Sequence, residues 1–372
     1  MPSRATGAKV CLEDESIVCY NKAYRYEEMS DCMLTSRQFA EKIGVSQATV
    51  SRALNGHEAV AEKTRRYIEQ KAEEYGFVLN SQARSLRTQH TGNVGVLFPL
   101  SFDSLSRNLM FTHIYDNLQR ELLSRGLDIM VVGDYGDAPG SGGAFERIVK
   151  SRKVDALVNL RPQLLPREIE LIERNRITFV SLHAAKQGNS AFHQLILDEE
   201  NAGEQVGRLL GRSRTDRFVY IAVDDKPPME ESRLRGFIKG LASCGVRFDP
   251  RNVIVSPLSM SAAREQTLAN AHLFTGGRAS VFVYNDMMAL GVLSALAQLG
   301  VRVPEQVQIA SMDDIPLAGW LTPKLTTVRS PVEQMARDGC DLLIRLMNGE
   351  EIAPATSMYT PQLVLRETTR DA

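Results

Sequence analysis

Residues 33–77 read MLTSRQFAEKIGVSQATVSRALNGHEAVAEKTRRYIEQKAEEYGF, three short helices with clear punctuation. Thr35 and Gln38 have capping-box spacing, so a helix starts near Ser36 and carries Phe39, Ala40 and Ile43 on its apolar face. Gly44 ends it. Ser46 offers an N-cap to a second helix in which Val50, Ala53 and Leu54 turn inward, while Gln47, Ala48, Ser51 and Arg52 point elsewhere. Asn55-Gly56 stops that helix, and a third runs from about Glu62 to Tyr75 with Ile68 and Ala72 on its buried side and Gly76 beyond its end.

A helix-turn-helix needs a small residue where its helices cross, a turn residue that tolerates positive φ, and an inward apolar residue on the second helix. Ala40, Gly44 and Val50 supply these at spacings of four and six. The second helix can then lie in a major groove with its polar side chains on base edges. A plain three-helix bundle without DNA satisfies the same residues.

The segment that follows, Asn80-Ser81-Gln82-Ala83-Arg84-Ser85-Leu86-Arg87, is too short to be a stable helix alone. Docked in a minor groove it could fold, with Leu86 prying a base step apart and the arginines on phosphates. The chain thus divides into an extension, 1–32, without strong periodicity and expected to be disordered; a helix-turn-helix domain, 33–79; a hinge helix and linker, 80–92; and a body, 93–372. Met33 is a plausible true start.

In the body, apolar runs of four to six residues alternate with amphipathic stretches, the pattern of βαβ units on parallel sheets. The clearest strands are 94–98, 127–132, 156–160, 177–182, 218–223, 280–284 and 307–312. Helices are expected near 111–125, 201–211, 229–243, 262–274, 286–299 and 331–348. Some 280 residues exceed one average sheet, so two similar lobes with a ligand cleft beyond their strand ends are expected. The fold class is therefore multi-domain: an all-α head and an α/β body of two parallel-sheet lobes.

Composition bounds the function. Of 372 residues, 43% are hydrophobic and 24% charged, as in a globular protein. No run approaches a membrane span and no secretory core follows Arg4 and Lys9, so a cytoplasmic location is expected. The five cysteines, at 11, 19, 32, 244 and 340, lack C-x-x-C spacing, so neither a disulfide framework nor a metal site is indicated. The net charge of −1 conceals an uneven distribution: residues 33–92 hold nine basic against six acidic side chains, as suits a DNA-binding head on an acidic sensor. Phosphate-loop, dinucleotide, zinc-protease and serine-hydrolase motifs are missing. The adjacent carboxylates Asp313-Asp314 and Asp224-Asp225 would face opposite ways on a strand. No enzyme and no cofactor is expected. The rival is a solute-binding receptor without a DNA role, which would need an export signal and no basic head.

VSQATVSRALNG followed by NSQARSL resembles the lactose-repressor (LacI/GalR) family. The body resembles it too, in SRLRGF (232–237), VYNDMMALGVLSAL (283–296), VRVPEQVQIASMDDIPLA (301–318), LTTVRSPVEQM (325–335) and LVLRETT (363–369). The resemblance implies a periplasmic-binding-protein fold for the body and a transcriptional regulator, a repressor by expectation, controlled by a small molecule. On it, Gln47, Ala48 and Arg52 read base edges, Ser46, Thr49, Ser51 and Asn55 contact the DNA backbone, and Ala83 with Leu86 forms the hinge wedge. Arg233, Asn285 and Asp313 match positions that clamp ligand hydroxyls or a ring edge, Phe111 and Met110 would add an apolar wall, and His183 stands near a position often acidic in sugar-responsive members. The implied partners are a pseudo-palindromic double-stranded operator, an effector that is a sugar or sugar derivative, with a purine-like compound the other option, and a second copy of the chain in a homodimer. One departure is Val78-Leu79, where a proline is common. Trp320 fits core or dimer packing as well as ligand stacking.

Overall fold

A computed structural model describes residues 34–54, 59–77, 90–98, 109–133, 143–161, 164–182, 192–213, 215–224 and 227–370. Asn55, Ala83, Leu86 and His183, the extension 1–32 and nearly all of the hinge segment lie outside the described residues. The chain divides into two compact units, 1–84 and 85–372.

In the first unit α1 (Ser36–Ile43) begins with the expected reciprocal cap: Thr35 Oγ1 accepts from the Gln38 backbone N–H, and Gln38 Oε1 accepts from the Thr35 N–H. Gly44 closes it at φ 71°, a conformation that suits a residue without Cβ. Helix α2 (Gln47–Leu54) and α3 (Glu62–Glu74) complete the trio. Phe39, Ala40, Ile43, Val50, Ala53, Ile68 and Ala72 form one core, closed by Phe77 stacked 4.1 Å from Phe39.

Among the described residues the second unit holds two six-stranded sheets. Its elements are β1 (Asn93–Leu97), α4 (Leu109–Ser124), β2 (Asp128–Val132), α5 (Ala144–Lys150), β3 (Ala156–Asn159), α6 (Pro166–Asn175), β4 (Thr178–Leu182), β5 (His193–Leu197), α7 (Glu199–Gly211), β6 (Arg217–Val223), α8 (Pro228–Ser243), β7 (Val253–Ser256), α9 (Met260–Ala269), β8 (Ala279–Val283), α10 (Asp286–Gln298), β9 (Val307–Asp313), β10 (Thr326–Arg329), α11 (Val332–Met347), β11 (Thr356–Tyr359) and β12 (Gln362–Val364). The first lobe orders its strands β11-β5-β4-β3-β1-β2 and the second β12-β10-β9-β8-β6-β7, every pair parallel except β10 with β12. Among the described residues the chain passes between lobes three times: at Asp198, at Ser330-Pro331 and after Tyr359.

Period-two alternation divides each sheet between two cores. Along β6, Val219, Ile221 and Val223 pack with α9 and α10, while Phe218, Tyr220 and Ala222 pack with α7 and α8. In the first lobe Val94, Val96 and Val158 face α4 and α11, and Leu97 and Leu157 face α5 and α6. The helix expected over 262–274 is broken: α9 stops at Ala269 and Ala271–Leu273 forms a separate 3₁₀ turn.

Candidate nucleic-acid interface and ligand wall

On α2 the side chains divide as their chemistry requires. Val50 and Ala53 are buried, Gln47, Ala48 and Arg52 are exposed, and Thr49 and Ser51 are half-buried at the border. Ser46 caps the helix, its Oγ accepting from the Thr49 N–H at 3.1 Å and lying 2.8 Å from Thr49 Oγ1. A short helix thus presents a polar face starting at its N-terminus, which can offer donors and acceptors to base edges or phosphates.

In the second lobe the three expected ligand residues converge at the carboxyl ends of the strands. Arg233 on α8 is only 2% exposed. Its Nη1 donates to the Tyr284 carbonyl at 2.9 Å, its guanidinium lies 4.6 Å from the Tyr284 ring centre, and Asn285 is the next residue. Asn285 caps α10, with Oδ1 accepting from the Met288 N–H at 2.9 Å, while its buried Nδ2 has no hydrogen-bond partner. Capping therefore uses only the oxygen of this amide and leaves its nitrogen for another acceptor. The parallel register that sets Phe282 beside Ala310 brings Asn285 level with Asp313.

Asp313 ends β9 at φ 110° and is 6% exposed. Burial pushes its carboxyl up to about 6 although Arg233 pulls the other way. Asp286, beside it, is pushed up to about 8 by burial and by Asp313, against hydrogen bonds from Ser311, Thr327 and the Ile315 N–H. Asp314 turns away from Asp313 to pair with Arg329 and Arg366, both at 2.6 Å.

Sequence reasoning missed Glu199. The first residue of α7, it grips Arg233 with both oxygens, Nε–Oε2 at 2.6 Å and Nη2–Oε1 at 3.2 Å. This pair holds the guanidinium charged, its pKa raised against the opposing effect of burial. No local pattern marks the contact, since the partners are 34 residues apart. Glu199 also lines a cavity of about 330 Å³ with Asp198, Glu200, Met229, Ser232 and Met358 at the first crossing.

The first lobe faces this wall with fewer free groups. Phe111 is 9% exposed and belongs to the core with Phe98, Met110 and Ile114. Arg161 donates to the Phe98 carbonyl and pairs with Glu168 at 2.6 Å, and Asn159 donates to Ser181. Leu109, at the start of α4, packs against the second-lobe cluster of Tyr284, Met288 and Ile315, so the lobes meet beside the wall. Trp320 is 85% exposed, which removes the core-packing option.

Comparison with known proteins places these features. The model of bacterial regulatory proteins of the lacI family matches residues 37–80, and that of the periplasmic binding protein-like domain matches 208–369. The HTH-type transcriptional repressor CytR of Escherichia coli (strain K12) is 25% identical over 339 residues, 90% of this chain and 96% of that one. PurR of Vibrio vulnificus (strain CMCP6), an HTH-type transcriptional repressor, is 22% identical, covering 91% and 99%. Among solved structures, the Lac repressor dimer bound to operator and the anti-inducer ONPF superposes with a TM-score of 0.75 at 21% identity, covering 91% and 99%. The transcriptional regulator CelR–cellobiose complex gives 0.65 at 23% identity, covering 90% and 99%.

Proposed function

Because the chain belongs to the LacI family of bacterial regulatory proteins, and so is a DNA-binding transcriptional repressor governed by a small molecule, we propose that α2 reads its operator and the Arg233 wall receives its effector. The carrying observation is the exposure of Gln47, Ala48 and Arg52 on a helix whose inner face is locked in the Phe39 core. Two copies bind a pseudo-palindrome in the cytoplasm, with Ala83 and Leu86 as the minor-groove wedge. The effector, a sugar or sugar derivative, changes the angle between lobes and so decides whether the hinge segments form. Support comes from the relatives: one structure is a dimer on operator and another holds cellobiose. No helix among the described residues is long and apolar enough to cross a membrane. The match over 37–80 disfavours a solute receptor without a DNA role. The reading assigns the chain no catalysis.

Selection from random duplexes near physiological salt, with sugars and nucleobases added in turn, tests this. A recovered palindrome of roughly one to two helical turns supports it, and the compound that shifts enrichment names the effector. Recovery of nothing specific would turn the helix-turn-helix toward another partner. Arg233→Ala should abolish the response to that compound and leave operator affinity in its absence unchanged.

A further inference from the structure

The chemistry that the Arg233 wall leaves unsatisfied defines what it can receive. Glu199 takes the Nε and Nη2 edge of the guanidinium and the Tyr284 carbonyl takes a hydrogen on Nη1. The Arg233 charge is thereby neutralised from inside the chain. Arg233 favours the Asp313 carboxylate through charge alone: no described residue donates a hydrogen bond to it, although it is nearly buried. Asn285 Nδ2, fully buried, has no acceptor. Behind them Asp286 accepts from Ser311, Thr327 and the Ile315 N–H, which brings no positive charge.

A phosphate or carboxylate entering here would have to displace Glu199 from a two-point ion pair or lie against the Asp313 carboxylate. Like charges brought together away from water repel strongly, because the low dielectric that favours a matched pair penalises a mismatched one. A hydroxyl or an amine instead gives Asp313 the donor it lacks, and a neighbouring oxygen accepts from Asn285.

We propose that the effector meets this wall with an uncharged or cationic donor group, a pair of hydroxyls or an amine, and that Glu199 is the specificity residue that excludes anions. The inference rests on the assignment of the wall to the effector and narrows its chemical class. Glu199 acts through Arg233, so its removal should change which charge is accepted and should not simply weaken every ligand alike.

The test uses the full chain and matched sugars that differ only in charge: D-glucose, D-glucosamine and D-glucuronate, and the three corresponding galactose compounds, titrated by calorimetry. Binding is expected from the neutral or amino member of a set, with the carboxylate at least tenfold weaker. In Glu199→Gln, whose fold is checked by circular dichroism, the carboxylate should gain at least tenfold relative to its neutral partner, and Glu199→Ser provides a second variant with the same expected shift. A glucuronate or galacturonate that binds the natural chain as tightly as its neutral partner overturns the inference, as does an unchanged ratio in both variants. Arg233→Ala separates the two readings. If the neutral sugar still binds after that change, the wall is not the effector site and the assignment itself fails; if its binding is lost while the carboxylate binds the natural chain well, only the charge rule fails.

Discussion

Asp313 and Asp314 adopt φ values of 110° and 52°, where side chains other than glycine are strained, at a cost of order 1–3 kcal/mol each. Packing holds them there: Asp314 is fastened by Arg329 and Arg366, and the next N–H, of Ile315, donates to Asp286. The strained turn aims the Asp313 carboxylate, which Arg233, Glu199 and Asp286 surround electrostatically. Its folded pKa of about 6 lies above the ordinary 3.8. The folded chain therefore holds a proton that the unfolded chain has released, and this contribution to stability, complete below the ordinary value, is lost as pH rises through about 6. A donor-bearing effector needs the ionised form, so its affinity should rise between pH 5 and 7 (roughly one unit either side of that midpoint). Asp313→Asn should flatten the profile; calorimetric titrations across that range would contradict the assignment if both proteins gave the same slope.

Among the elements, α7 and α8 decide whether Glu199 reaches Arg233. Gly203, Gly207, Gly236 and Gly240 line their contact, and a Cβ at any of them would come closer than 3.0 Å to the partner backbone. Gly236→Ala, pressed against the Glu200 carbonyl, should cost about 1–3 kcal/mol by overpacking and weaken effector binding as the ion pair is pushed out of register. Thermal melts and titration would check both, and an unchanged melting temperature would show that the helices can separate freely. The cap at Thr35 and the stop at Gly44 follow from near neighbours and appear as expected. Strand β10 escaped notice because two of its three buried positions are threonines, which bond to Thr369 and Asp286 and leave Val328 as a lone apolar signal. Strand β5 opens on His193 and Gln194, both buried, and hides for the same reason.

For the molecule as a whole, Arg329 adjoins the second crossing between lobes and Arg366 follows β12, so Asp314 ties the turn after β9 to chain segments next to the second crossing and beyond the third. By linkage, effector and operator must change each other's affinity by one common factor, typically about 5- to 150-fold. Asp314→Asn should reduce that factor while operator affinity without effector stays constant. Fluorescence anisotropy on the selected duplex, with and without effector, reads both quantities, and an unchanged factor would remove Asp314 from the coupling. Residues close in the chain set caps, stops and hydrophobic period, so the three helices of the head, the outward face of α2 and the two-lobed body were legible in the sequence, whereas Arg233, Asn285 and Asp313 were singled out only by the resemblance to the family. Only the tertiary structure decided that Glu199 neutralises Arg233, that Asn285 keeps Nδ2 without a partner while capping α10, and that Trp320 lies in the open. These depend on which distant backbones pack together: glycines four residues apart, such as Gly203 and Gly207 or Gly236 and Gly240, mark a face fit for close approach but do not say which helix it meets.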